Sequence, residues 1–261
     1  MGRIVALLLF IHLGLFGFEG YHKWVGIFAK GCGIRDQKIL TALQYRRLLD
    51  QIRPWHAKGY YVSELKYGEG RWVAVVSKGD AIFSQTIISD GRWVNFREKL
   101  KQAWKSGLFL IDLEYGMGRW VGVFSADLRL KSQSYSANSD IDKLEYLIEE
   151  GWENRYKLTE IAFGEDRWVL LFAKGSGLRN QRYERSESLS DALEMIEDQW
   201  SRGKDIIELA YTKGYWLMVF AMHTGFENQR YSYRERFEDF VNQARMLRNK
   251  GYYIVDLASG W

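Results

Sequence analysis

The chain has 261 residues, with 37 Lys+Arg against 33 Asp+Glu and a formal net charge of +4. So small and mixed a surplus argues against nucleic acid or an anionic membrane surface as partner. At 47% hydrophobic and 27% charged, the composition is globular and long enough for a sizeable core. The single cysteine, Cys32, excludes an intramolecular disulfide and any multi-cysteine metal site. Aromatic residues dominate instead, with 11 Trp, 16 Tyr and 14 Phe.

Residues 1–20 open with Met-Gly-Arg and continue from Ile4 to Phe18 without a charge. A basic start before an apolar stretch resembles a secretory leader or signal anchor, although Leu15 with Gly17 makes a poor cleavage site. The alternative is an extension packed on the rest of the chain. The first reading implies a secreted or membrane-anchored protein, the second a cytoplasmic one.

From Tyr21 onward the chain repeats itself. Trp24, Trp72, Trp120, Trp168 and Trp216 are 48 residues apart, and so are Gln37, Gln85, Gln133, Gln181 and Gln229. Acids recur in the same phase at Glu64, Asp112, Glu160, Glu208 and Asp256, each followed by Leu or Ile. A glycine recurs at Gly59, Gly107, Gly203 and Gly251, with Arg155 as the exception. A second tryptophan stands at Trp104, Trp152 and Trp200; it falls one place early at Trp55 and is replaced by Arg248 in the last copy.

Within a unit, Trp168 to Phe172 is a short apolar run that reads as a strand buried on both faces. Lys174 to Gly177 reads as a hairpin turn into a second strand at Gln181. The period then changes to that of a helix: Phe96, Leu100 and Trp104 form one stripe, as do Leu144, Ile148 and Trp152. Thr41 with Gln44, and Asn95 with Glu98, have capping-box spacing. The recurring glycine supplies a left-handed helix end. A third strand follows, as in Leu110 to Tyr115. Strict alternation would put Leu110, Asp112 and Glu114 on one face and Ile111, Leu113 and Tyr115 on the other.

The expected fold is therefore an α+β repeat protein, residues 21–261 forming one domain of five units. Each unit has three antiparallel strands and one helix. A strand is left over at each end, so Tyr253 to Leu257 should pair with Trp24 to Phe28. That closes a propeller-like toroid and removes exposed sheet edges. An open solenoid is the alternative.

Chemistry is sparse. His12, His22, His56 and His223 have no zinc-ligand spacing. No nucleophile elbow, phosphate-binding loop or dinucleotide fingerprint is present, so neither a catalytic constellation nor a cofactor is expected. Cys32, in a glycine turn, has no partner that would make it a nucleophile. The five acids are read as structural, paired with backbone or with the basic residues at Lys23, Arg71, Arg119 and Arg167. The rival reading is that they face one another and hold a cation. The five Gln residues are read as fixing register through backbone groups. Trp55, Trp104, Trp152 and Trp200 are the candidate ligand-binding aromatics, although packing of helix on sheet explains them too.

The run Trp168 to Gly177, then Gln181, the helix ending in Trp200, Ile206 to Tyr211 and Trp216 carry a resemblance. They resemble the tryptophan-rich repeats fused to bacterial, notably cyanobacterial, serine/threonine kinases and caspase-like peptidases. They are also similar to the C-terminal repeat region of plant casein-kinase-type kinases. The likeness spans residues 21–261, without a kinase or peptidase domain, and implies an accessory module for interaction or sensing. The functional expectation is a non-catalytic binding or scaffold module for a protein or peptide, reached through divergent loops. The alternative is a lectin-like protein with one aromatic glycan site per repeat; a small-molecule ligand is also compatible with the residues.

Overall fold

The computed structural model describes residues 21–80, 84–126 and 130–261. The leader reading for residues 1–20 therefore lies outside the described residues. Strand β1 (Lys23–Lys30) comes first. Four near-identical units follow. The first is β2 (Ile34–Ala42), α1 (Tyr45–His56), β3 (Tyr61–Gly68) and β4 (Arg71–Gly79). The second is β5 (Gln85–Asp90), α2 (Trp93–Lys105), β6 (Phe109–Gly116) and β7 (Arg119–Ser125). The third is β8 (Ser132–Asn138), α3 (Leu144–Glu153), β9 (Lys157–Gly164) and β10 (Arg167–Lys174). The fourth is β11 (Arg179–Ser186), α4 (Leu189–Ser201), β12 (Asp205–Thr212) and β13 (Tyr215–Met222). The chain ends with β14 (Asn228–Arg234), α5 (Phe237–Arg248) and β15 (Tyr253–Gly260). Among the described residues, no helix is long and apolar enough to cross a membrane.

These strands form five three-stranded antiparallel sheets, ordered β2-β4-β3, β5-β7-β6, β8-β10-β9, β11-β13-β12 and β14-β1-β15. We number them I to V. In each, the Trp strand is central, the Gln strand lies on one edge and the acid strand on the other. The predicted three strands and one helix per unit are present, but their grouping differs from the expected one. The Gln strand pairs not with the Trp strand before it but with the next one, as β2 does with β4. The two edge strands are parallel to each other, and parallel neighbours need a crossover of a dozen or more residues. The helix is that crossover, inside a sheet rather than between sheets. Both edges of each Trp strand are thereby occupied, so the glycine segment after it cannot close a hairpin. Residues 175–178, with Gly175 and Gly177 at positive φ, instead carry the chain from sheet III to sheet IV.

The expected pairing of the chain ends is present: β1 pairs with β15 and, on its other side, with β14. The first strand is thus the central strand of sheet V. Each central strand is buried on both faces, and the five indoles Trp24, Trp72, Trp120, Trp168 and Trp216 are fully buried. Alternate residues serve different cores. Trp120 and Phe124 pack under α2 in their own sheet, whereas Val121 and Val123 join the core of sheet I. In the same way Val73 and Val75 of β4 complete the core of sheet V. Burying a side chain of this size contributes roughly 1.5–3 kcal/mol, and every core draws on two sheets.

Helix ends follow the sequence in part. Gly59, Gly107, Gly203 and Gly251 all have positive φ after their helices, and Arg155, which replaces the glycine, is held there at φ 63°. The capping boxes are absent: Thr41 lies within β2 and Asn95 within α2. A bend at Asp90 starts α2, its Oδ1 accepting from the Arg92 N–H at 3.1 Å and from the Asn95 side chain. Among the described α-helices, only α4 is capped by the side chain of its own N-cap residue, Ser188 accepting from the Asp191 N–H.

Candidate binding site

Every acid strand carries a β-bulge immediately before its acid, where the register against the Trp strand shifts by one residue. A bulge inserts one residue and reverses the alternation beyond it. Leu110 and Leu113 consequently share the core under α2, and Asp112 turns to the other face. Strict alternation had put Leu110 with Asp112; the bulge at Ile111 separates them.

The bulge brings the acids together. The acid strands lie against one another, β3 against β6 and β15, and β9 against β6 and β12, with β12 also against β15. Spacing is close enough that a Cβ at Gly116 would meet the Tyr67 ring at 2.4 Å. Glu64, Asp112, Glu160, Glu208 and Asp256 are all buried, none more than 7% exposed. The Leu65 N–H donates to Asp112 Oδ2 at 2.6 Å, and the Leu209 N–H donates to Asp256. Glu208 accepts from the Ile161 backbone in the same way. Each such bond runs from the residue after one acid to the acid of the next sheet.

The cation among them is Lys66, on β3, 3.5 Å from Glu64 and 3.9 Å from Glu114. The expected basic partners are elsewhere: Arg71 reaches Glu238 and Arg119 reaches Ser89. One ammonium does not neutralise six carboxyls. Burial, outweighing the attraction of Lys66, pushes Asp112 and Asp256 up to about 6 and Glu114 up to about 7. Burial, with repulsion from the other acids, holds Glu64, Glu160 and Glu208 well above the usual carboxylate range. Burial would lower Lys66, but the carboxylates around it, Glu64 first, raise it well above its ordinary value. Asp112, Glu208 and Asp256 thus accept from backbone amides of the neighbouring sheet, and all five acids are gathered around Lys66. Among the described residues, no three His, Cys, Asp or Glu side chains stand so as to hold a metal ion. A cavity of about 160 Å³ opens beside Lys66 and Glu114, walled by Tyr67, Tyr115, Phe163 and Tyr211.

The five glutamines join neighbouring sheets. Gln133 Oε1 accepts from the Leu110 N–H at 2.9 Å while its Nε2 donates to the Leu110 carbonyl at 2.7 Å. Gln85 does the same to Val62, Gln181 to Leu158, Gln229 to Ile206 and Gln37 to Ile254. Each amide thus pairs with a residue two places before an acid, on a strand edge that would otherwise leave these backbone groups unpaired.

Three of the four candidate aromatics complete this clamp. Trp104, Trp152 and Trp200 each donate their indole N–H to the same Gln oxygen at 2.8 Å, Gln133, Gln181 and Gln229 respectively. Trp55 stands apart. One residue early on α1, its ring is turned by about 100° around the helix; it packs edge-on against Tyr60, with Lys58 over its face. Cys32 donates weakly to the Ala29 carbonyl, and burial raises its thiol pKa, the reverse of an activated nucleophile.

The Gln clamp was foreseen as a role but not in its partners, since the bulge that creates the unpaired edge has no residue signature. Lys66 was missed; its signal is that the slot two places after the acid reads Lys66, Glu114, Ala162, Ala210 and Ala258.

No curated protein sequence matches the chain. A family model described as a domain of unknown function, DUF7477, matches residues 110–260, more than half of the chain, which therefore belongs to that family.

Proposed function

We propose that this chain is a non-catalytic binding module: a closed, propeller-like ring of five units that presents variable segments to a protein or peptide. The observation that carries the reading is the division of labour along each repeat. The recurring polar and aromatic residues are engaged in the frame: Gln on backbone, Trp104, Trp152 and Trp200 on Gln, acids on backbone and Lys66. The segments between sheets, by contrast, differ in sequence: 31–33, 80–84, 126–131, 175–178 and 223–227. A repeated frame with divergent segments suits one asymmetric partner better than five equal ligands.

Closure is supported by the pairing of β1 between β14 and β15 and by the Gln37–Ile254 clamp, which repeats across the chain ends what the other four do within the chain. The C-terminal ends of the central strands and of the helices lie at one end of the sheets, the hairpins and helix N-termini at the other. The test is capture of a partner by the immobilised chain, repeated with segments 31–33 and 175–178 exchanged. Stoichiometric capture that the exchange abolishes supports the reading. Binding on a glycan array, with no protein captured, supports the lectin alternative.

A further inference from the structure

The Trp–Gln bond is missing from two grooves: where sheet I meets sheet II, because Trp55 falls one place early, and where sheet V meets sheet I. In the other inter-sheet grooves, the indole fills the space between helix and outer strand and bonds to Gln. Where sheets V and I meet, Arg248 stands in that slot. Its Nη1 donates to the Gln37 carbonyl at 2.8 Å, leaving the Gln37 side chain to the Ile254 backbone. Between α5 and β2 lies a cavity of about 320 Å³. Its floor is apolar, from Ile39, Leu40, Val241 and Ala244, and Trp55 forms one side. Its rim carries Lys38, Arg245 and Arg248. The carboxylate at this rim is Asp36, 2.8 Å from Lys38 and 3.7 Å from Arg248. Arg245 is exposed and, among the described residues, bonds only to the Asn242 side chain on its own helix.

We propose that this seam is the binding site of the module, and that it takes an acidic segment of a partner protein: an apolar side chain on the floor, flanked by carboxylates on Arg245 and Arg248. This rests on the binding-module reading above and names its site and partner chemistry. Two features favour a peptide segment over an isolated ion. The floor offers an apolar side chain a place between Ile39 and Val241, and guanidinium groups present paired donors that match carboxylates. The cationic excess over Asp36 supplies the complementary sign. The seam also lies at the end of the sheets that carries residues 31–33, so one partner can reach both.

The test uses the full chain and a fluorescein-labelled peptide, Glu-Asp-Phe-Glu-Asp, with Gln-Asn-Phe-Gln-Asn and Glu-Asp-Ala-Glu-Asp as comparators, read by anisotropy. The parent should bind the first at least tenfold more tightly than either comparator. Arg248→Trp restores the residue found at this slot in α2, α3 and α4; it should remain folded, melt no lower than the parent and lose at least tenfold in binding. Arg245→Glu should lose binding similarly, whereas Lys105→Glu, an equal charge change at the end of α2, should not. The proposal is overturned if the parent shows no saturable binding, if the neutral peptide binds equally, or if both seam variants bind like the parent. Should a captured natural partner bind parent and Arg248→Trp alike, the module reading stands and the seam does not.

Discussion

Met117→Glu should stabilise the protein. The indole N–H of Trp24 donates to Glu69 at 2.6 Å, and that of Trp120 donates to Glu165 at 2.8 Å. Both glutamates sit at the same place in the hairpin before a central strand, with φ of 47° and 46°. In the hairpin between β6 and β7 that place is Met117, already at φ 49°, and the buried Trp72 indole N–H has no partner among the described residues. A glutamate there needs no backbone change, and Met117 is 60% exposed, so little apolar contact is lost. Glu165 also accepts from the Trp93 N–H at the start of α2; a glutamate at 117 stands in the same relation to Tyr45, the first residue of α1. Satisfying a buried donor recovers about 1–3 kcal/mol, and an acid at a helix N-terminus adds about 0.3–1 kcal/mol. The sum corresponds to a rise in Tm of roughly 3–10 °C for a domain of this size. Thermal unfolding by circular dichroism reads it directly, with Trp72→Phe as the background that removes the donor. No rise, or the same rise in the Trp72→Phe background, would refute the assignment of the slot.

The carboxyl cluster makes stability depend on pH in an unusual direction. Asp112 and Asp256 titrate near 6 and Glu114 near 7 in the fold, against ordinary values of 3.8 and 4.5, so the folded state binds more protons in that window. Denaturant unfolding should show stability falling as pH rises from 5 to 8, by on the order of 5 kcal/mol; a flat or rising profile contradicts the raised carboxyl pKa values. Lys66→Met removes the ammonium that the acids surround and should cost about 3–5 kcal/mol at pH 7, and less at pH 5, where the carboxyls protonate; an equal loss at both pH values points to packing instead. Gln133→Ala leaves the Leu110 N–H and carbonyl and the Trp104 N–H unpaired and should cost about 2–4 kcal/mol by chemical denaturation, whereas a loss under about 0.5 kcal/mol would mean that water replaces the amide.

The repeat frame was legible because its marks are large or chemically singular. Five indoles in one phase locate the central strands, and glycine or its left-handed substitute Arg155 locates the helix ends. Pairing was less legible, because a turn such as Gly175 to Gly177 has the same composition whether it closes a hairpin or steps to another sheet. The acids show why period alone misplaces a face: a bulge at Ile111 leaves no residue mark, yet it moves Asp112 away from Leu110 and into a cluster. The clamp formed by Gln133 and Trp104 joins residues 29 apart on adjacent sheets, a relation that emerges only once the sheets are assembled. The seam was visible in the sequence as Arg248 in place of Trp and Trp55 one place early. What was not visible was that the two departures face the same groove.

Amide hydrogen exchange of β1 tests the closed ring most directly. Trp24 to Ala29 form the central strand of sheet V only if the chain ends are joined by pairing with β14 and β15. Closure predicts that these amides exchange by global unfolding, as slowly as those of β4, β7, β10 and β13. Exchange of β1 and β15 through a local opening, orders of magnitude faster than the other central and acid strands, would contradict it and leave an open array.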